Sequence, residues 1–408
     1  MGELLRDADV ETCVLAADPE RPNLVARVPG RGDAPPVLLY AHVDVVPATG
    51  QRWSRPPFGG ELADGCVWGR GAVDMKGGLA AMLAAVLRLR EEGDAPAGDV
   101  VLAVVADEEA GGRVGARFLV ERHRERFAGI RHAIGEDGGA ALGMGDTVRF
   151  QPIVVAEKRA CWLRATLRGP AGHASRAAEP GGAVAKVGRL LQALGPGLIG
   201  PHLTPPVDRM LAELQRVLPE PLAASARALR ADPGDAPALA ALPARDARYL
   251  RSVLNHTLNA TVLRAGSKTN VVPAEATVEL DGRILPGDFD TEGFLAEVTA
   301  LIGEEAELEI LVEGERMPAS PMGPFYERLV EVVGELDPEG VAVPMVTTAS
   351  TDARLLAGLG IGCYGWLPLR TAPGAPYRDL LHAADERVPV DALRLAAESY
   401  HRLLLRHP

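Results

Sequence analysis

Apolar runs that end in acidic or glycine-rich segments alternate along this chain with longer stretches that are apolar on one face only. Val37-Leu38-Leu39-Tyr40 is a continuous apolar run closing at Ala41-His42-Val43-Asp44, which predicts a strand ending in two polar residues. After Gly77-Gly78, the residues Leu79, Met82, Leu83, Val86 and Leu87 recur at the 3, 4, 7 spacing of one buried helix face. Val100 to Val105 is again wholly apolar, as in a strand covered on both sides. Strand, loop, helix and strand in that order predict an α/β domain.

From Cys161 the pattern changes. Strand Cys161 to Leu167, a helix with Val184, Val187, Leu190, Leu191 and Leu194 on one face, strands Thr257 to Leu263 and Glu275 to Ile284, helix Thr291 to Ile302 and strand Ala306 to Val312 make βαββαβ, a ferredoxin-like order. The Pro, Ala and Arg-rich stretch from Pro201 to Arg251 interrupts it as a helical insertion, with helices expected at Met210 to Leu218 and Leu222 to Leu229. After Pro318 the α/β pattern resumes and closes on a helix after Pro389, with Leu393, Ala396, Ala397, Tyr400 and Leu404 as its stripe. The larger domain is therefore expected in two pieces, 1–159 and 318–408, with 160–317 inserted between them.

Composition narrows the function. A chain of 408 residues with 47% hydrophobic and 24% charged residues has room for two to three domains with large cores, not a disordered tail. Its net charge of −12, from 43 basic and 55 acidic residues, argues against nucleic acid as a partner. Cys13, Cys66, Cys161 and Cys363 are scattered without a Cys-x-x-Cys pair, which suggests neither a disulfide framework nor a thiolate metal site and fits a reducing cytoplasm. No basic-then-apolar leader opens the sequence and no long apolar span occurs, so no membrane partner is expected.

Several segments could carry chemistry. His42 and Asp44, two apart on a strand, leave the same face; the carboxylate could orient a metal-binding imidazole, or the two could be an ordinary polar pair. Gly69-Arg70-Gly71-Ala72-Val73-Asp74-Met75-Lys76-Gly77-Gly78 precedes a helix, but Asp74 stands where a dinucleotide fingerprint needs its third glycine, and no Gly-Lys-Ser/Thr follows. Asp74 reads either as a carboxylate bridging two cations or as a helix N-cap. Asp107-Glu108-Glu109 lies at the carboxyl end of a strand, where α/β proteins place their sites; a ligand beside a base and an exposed acidic turn both fit. Glu136-Asp137-Gly138-Gly139 offers one more carboxylate, and His382 precedes the last helix.

Taken in order, these five motifs resemble the M20 metallopeptidase family of dinuclear zinc aminoacylases, carboxypeptidases and dipeptidases, over nearly the whole chain. The helical insertion makes the chain look most like the carboxypeptidase and aminoacylase-like branch. The resemblance implies a zinc-exopeptidase-like catalytic domain, with a mixed, mostly parallel sheet and helices on both faces, and an inserted ferredoxin-like domain that forms a homodimer. It implies two Zn²⁺ ions, with Co²⁺ or Mn²⁺ as substitutes: Asp74 bridging, His42 and Glu136 on one metal, Glu109 and His382 on the other. Asp137, next to Glu136, is the alternative ligand there. Glu108 would be the general base acting on a metal-activated water, and Asp44 would orient His42. In the inserted domain Gly169-Pro170-Ala171-Gly172-His173-Ala174-Ser175 is similar to the family's Gly-x-x-Gly-His-Ser segment, which implies that His173 reaches a partner's metal centre to stabilise an oxyanion. Asn270 and Arg283 lie in segments similar to the family's substrate-binding ones, and an arginine there suits a substrate carboxylate. The 41 residues before His42 are few for this branch, so a thinner outer cover on the sheet is expected.

The function expected is cleavage of the amide of a dipeptide, a peptide C-terminus or an N-acyl amino acid. An aminoacylase or other N-deacylase acting on non-peptide acyl groups is the alternative, and a catalytically silent dimeric binding protein is the rival outside enzymology.

Overall fold

Val37–His42 and Val100–Val105 pair in parallel, Val37 opposite Val100 through His42 opposite Val105, and every residue of both is buried. That burial on two faces is what their uninterrupted apolar runs demand. The computed structural model describes residues 1–138, 142–144, 148–176, 181–370 and 377–408, so Gly139 lies outside the described residues. They divide into two units: Met1–Ala156, Ala319–Thr347 and Thr351–Pro408 form the first, and Glu157–Pro318 with Thr348–Ser350 the second.

In the first unit the sheet runs Glu11–Leu15, Asn23–Val28, Val100–Val105, Val37–His42, His132–Gly135, Gly362–Gly365, Val148–Glu157, Gly340–Thr347. The four inner strands from Val100–Val105 to Gly362–Gly365 are parallel, whereas Asn23–Val28 pairs antiparallel with both Glu11–Leu15 and Val100–Val105 on one flank, and Val148–Glu157 pairs antiparallel with Gly362–Gly365 on the other. Helices Lys76–Glu92, Pro324–Leu336 and Val390–Arg406 share its main core, which includes the fully buried Trp366, Tyr364 and Tyr400. The Tyr400 hydroxyl donates to the Trp366 carbonyl at 2.8 Å, so the one polar atom of that buried ring is satisfied. Because the inner strands are parallel, the residues that leave their carboxyl ends, His42, Asp107 and Glu136 among them, emerge at one edge.

The second unit carries the sheet Leu198–Ile199, His256–Ala265, Glu275–Ile284, Arg159–Arg168, Ala306–Glu313, antiparallel throughout. Without the two-residue edge strand Leu198–Ile199, the other four in βαββαβ numbering run 2-3-1-4, the ferredoxin-like arrangement, with helices Ala183–Leu194 and Thr291–Ile302 packed into its core. The insertion holds four helices, Pro205–Val217, Leu222–Ala231, Ala236–Ala240 and Ala244–Val253, where the sequence predicted two. The first starts earlier than expected because prolines sit comfortably in its first turn, and Ala236–Ala240 is capped by Asp235 accepting from the Ala238 N–H. Among the described residues no helix is long and apolar enough to cross a membrane.

Two glycines separate crowding from flexibility. A Cβ on Gly135 would stand 1.9 Å from Cζ of Tyr40, whereas one on Gly334, inside the helix Pro324–Leu336, meets nothing within 4 Å. Gly135→Ala is expected to cost about 3 kcal/mol through overpacking beside the site. Gly334→Ala is expected to gain about 0.5 to 1 kcal/mol. Urea melts of both check this, and a neutral Gly135→Ala contradicts the packing.

Candidate metal centre

The strand Val37–His42 delivers His42 to the carboxyl edge of the sheet, where only 1% of the residue is exposed. Its Nδ1 donates to the Asp44 carbonyl oxygen at 3.0 Å, which leaves the Nε2 lone pair facing inward. Nε2 lies 3.0 Å from Asp74 Oδ1 and 3.3 Å from Glu136 Oε2. The other Asp74 oxygen is 3.2 Å from His382 Nε2, which is itself 3.2 Å from Glu109 Oε1. Two donor triads therefore meet on Asp74, and within each the donor atoms lie within 4.8 Å of one another.

Those spacings fit cations. Ligands about 2.0 to 2.1 Å from a tetrahedral zinc-type ion stand roughly 3.3 Å apart, and nitrogen with carboxylate oxygen is a donor set that borderline divalent metals accept. The electrostatics agree. Burial opposes an imidazolium at His42, yet Asp44, Asp74 and Glu136 together drive its pKa far up, so the pocket demands positive charge. Burial also pushes Glu136 and Glu109 up, and it pushes Glu108 up to about 10 with help from the nearby charges of Glu136 and Asp352. Asp352 is 1% exposed, neither of its carboxyl oxygens has a hydrogen-bond partner among the described residues, and burial raises it to about 7. Carboxylates crowded like this repel one another until a cation enters.

Local structure explains how each candidate ligand is held. Asp74 is not a helix cap: Met75 takes that place at the start of Lys76–Glu92 with no side-chain capping bond, and the Asp74 carboxylate faces the two histidines instead. Its loop is moulded by Glu386, whose Oε2 accepts from Arg70 Nη1 (2.7 Å) and the Gly71 N–H (3.0 Å), and whose Oε1 accepts from the N–H groups of Val73 (2.8 Å) and Asp74 (3.1 Å). Arg70 donates onward to Gln51 Oε1 and to the carbonyls of His382 and Ala383. The Asp44 carboxylate accepts from the backbone N–H groups of Glu108 (3.2 Å) and Glu109 (3.0 Å), so it fixes the acidic turn while its carbonyl fixes His42. Asp107, Asp137 and His382 hold positive φ of 72°, 68° and 59°, backbone strain concentrated beside the ligands. Glu136, not Asp137, faces His42; Asp137 Oδ1 accepts from the Gly138 N–H.

His42, Asp74, Glu109, Glu136 and His382 are thus brought together, with Asp44 and Glu108 beside them. His173, Asn270 and Arg283 belong to the second unit. There the exposed His173 lies on a two-residue strand, Gly172–His173, paired with Val271–Val272, and the Ala174 N–H donates to the Asn270 carbonyl, so these two turns adjoin. Arg283 projects from the face of its strand opposite Val278, Leu280 and Ile284, forked onto Asp281 at 2.7 and 3.2 Å. Another cluster in that unit, His202, His256 and Glu297, is a poor metal site, because His256 Nδ1 accepts the Leu285 N–H and so keeps a proton on Nε2. Arg70, Gln51, Asp352 and Glu386 are the supporting residues that sequence reasoning missed. Arg70 does stand inside a quoted motif and Glu386 only four residues after His382, but no spacing rule links residues 316 apart.

Comparison with known proteins fits this geometry. A family model described as peptidase family M20/M25/M40 matches residues 38–406. The chain is 28% identical over 379 residues to the N-fatty-acyl-amino acid synthase/hydrolase PM20D1 of Xenopus tropicalis, covering 90% of this chain and 72% of that protein. It is 27% identical over 376 residues to aminoacylase-1 of Sus scrofa, covering 90% and 79%. In fold it matches the M20 family metallo-carboxypeptidase Sso-CP2 from Sulfolobus solfataricus with a TM-score of 0.72 at 18% identity, covering 99% of this chain and 91% of that one.

Removing one member of a buried ion pair strands the other, at a cost of about 3 to 5 kcal/mol. Glu386→Gln is therefore expected to destabilise the protein by that order and to weaken metal binding about 10 to 100-fold, as loss of a ligand-orienting partner does. Thermal melts and a competition titration against a chelator measure the two effects. Unchanged metal affinity would remove Glu386 from the support of the centre.

Proposed function

Since the chain belongs to peptidase family M20/M25/M40, we propose that it is a metal-dependent amidohydrolase that cleaves the amide of a dipeptide, a peptide C-terminus or an N-acyl amino acid. The observation that carries this reading is Asp74 with one carboxylate oxygen against each of two histidines, His42 and His382. His42, Asp74 and Glu136 would hold one divalent cation, and Asp74, Glu109 and His382 the second, zinc being our choice. Bound there, the pair would supply Lewis acidity to an amide carbonyl and acidity to a water.

The chain's own groups do the rest. Glu108, held through its backbone N–H by Asp44 and returned to its ionised form by the positive charge that the cations would bring, takes the proton of the attacking water on its carboxylate and passes it to the amide nitrogen as the C–N bond breaks, ending as it began. The relatives described above, named for N-fatty-acyl amino acids and for acylated amino acids, favour N-acyl amino acids within this class, which makes an N-deacylase the specific second reading. A silent binding protein has no chemical need for intact donors at all five ligand positions together with Glu108. The four free cysteines are consistent with a reducing cytoplasm, where we place the enzyme.

Release of free amine from a panel of dipeptides and N-acyl amino acids tests the function. Activity should vanish on exhaustive chelation and return with about two equivalents of zinc. Glu108→Gln is expected to keep its metal and lose on the order of 10² to 10⁴ in rate. Glu109→Gln should lose metal as well; the opposite pattern would exchange the two roles.

We further propose a homodimer in which His173 donates a hydrogen bond to the oxyanion formed at the partner's centre, with Asn270 and Arg283 gripping the substrate. The Ser175 N–H donates to His173 Nδ1 (3.2 Å), a contact that leaves the ring's N–H at Nε2, ready to donate. His173→Ala should keep its metal and lose on the order of 10² to 10³ in kcat, the loss typical of an oxyanion donor. Mixed with Glu108→Gln under subunit exchange, it should recover at most about half of the activity per mixed dimer, since one site of the C₂ pair is whole. Exchange proven by labelling without recovered activity contradicts the role across subunits.

A further inference from the structure

The first unit holds a recess of about 370 Å³, none of whose walls is a metal-centre side chain. Phe58, Val67, Trp68 and Leu393 make it apolar, and the glycine-rich segment 69–72 with the first turns of helix Lys76–Glu92 forms the remaining wall. Phe58 is 70% exposed, so a phenyl ring stands open to solvent at this recess. The volume falls in the range of small-molecule pockets, about 300 to 1,000 Å³.

Its charge is one-sided. Although acidic residues outnumber basic ones 55 to 43 in the chain, no carboxylate lines this recess, while Arg70 and Lys76 do. Arg70 is already neutralised by Glu386. Lys76 makes no side-chain hydrogen bond or ion pair with the described residues, so its ammonium is the one uncompensated charge in the wall. An inorganic anion would leave the apolar walls wet, a neutral hydrocarbon would leave Lys76 unmatched, and a dianion would find only one free cation. We propose that this recess binds an amphipathic monocarboxylate, its hydrocarbon tail against Phe58, Val67, Trp68 and Leu393 and its carboxylate on Lys76.

Such a ligand would press on segment 69–72, whose next residues are Val73 and Asp74, so occupancy reaches the loop that carries the shared carboxylate. A fatty or aromatic acid released from an N-acyl amino acid belongs to this chemical class. That regulatory consequence rests on the proposed function; the binding does not.

Octanoate titrated into the metal-loaded enzyme, followed by calorimetry and by tryptophan fluorescence, tests the site without any reading of hydrolysis. One saturable site is expected. Ala80→Trp, which fills the recess from its helix wall, should weaken binding on the order of tenfold or more, as steric exclusion from a pocket does. Lys76→Gln, at an exposed position that folding does not depend on, should weaken it roughly fivefold, the scale of a partly exposed ion pair. Octylamine, with a similar tail and the opposite charge, should bind more weakly than octanoate. Absence of saturable binding, equal binding of octylamine, or octanoate affinity unchanged by Lys76→Gln overturns the proposal, the last because it would put octanoate at the metal centre or elsewhere.

Discussion

The buried pair of Arg70 and Glu386 holds the catalytic geometry together. Their side chains are almost wholly removed from water, which for two charges costs several kcal/mol each unless every lone pair and proton is matched. Here the matching is done by the parts that must be positioned. Glu386 collects the backbone N–H groups of Gly71, Val73 and Asp74, and Arg70 reaches the carbonyls of His382 and Ala383. One ion pair therefore sets both the loop that presents Asp74 and the turn that presents His382. Because its desolvation is repaid fully only when both are in place, each stabilises the other.

Against this works the repulsion of the site itself. Asp44, Asp74, Glu108, Glu109, Glu136 and Asp352 gather around His42 and His382, and the parallel strands leave them little choice, since neighbouring carboxyl ends open at one edge. The fold resists by giving backbone donors to some of them: Asp44 accepts two N–H groups, and Asp107 beside them accepts the Val114 N–H and Arg21 Nη1. Glu136, Glu108 and Asp352 receive no comparable relief, and their pKa values rise. Carboxylates left unrelieved in an interior are what a cation site is built from, and occupancy by cations would change the protein's stability.

Much of this was legible in the sequence, for a physical reason. Fully buried parallel strands need unbroken apolar runs, so Val100–Val105 is read to the residue, and the amphipathic strands of the second unit are read almost as well, because alternation and the helical stripe between them are strong periodic signals. Sheet partners at the edge were less visible. Glu11–Leu15 has mixed burial and its alternation is too short to stand out, and the last two insertion helices hide in a stretch where alanine, arginine and proline blur any stripe. In the site, residues with a chemical task stood in motifs, whereas the roles of Gln51, Asp352 and the Arg70–Glu386 pair arise only from tertiary closure. Asp44 shows the intermediate case: its proximity to His42 follows from strand geometry, but its grip on the Glu108 and Glu109 backbone needs a neighbouring strand, which no local spacing encodes.

The two halves of the centre are built to different standards. His42 is part of a central strand, its ring enclosed and its Nδ1 tied to a backbone carbonyl, and Glu136 directly follows another inner strand, so that half inherits the rigidity of the sheet. His382 has a side chain 52% exposed and sits in a turn, positioned through its own carbonyl by Gln51 and Arg70. The enclosed half suits a cation that stays, and the open half one that meets solvent and substrate. Asp74 would prevent the two from being independent, because a cation leaving the open half would strip compensation from one oxygen of the same carboxylate that the enclosed half uses. Metal loss at the exposed histidine would therefore be felt at the buried one through a single side chain.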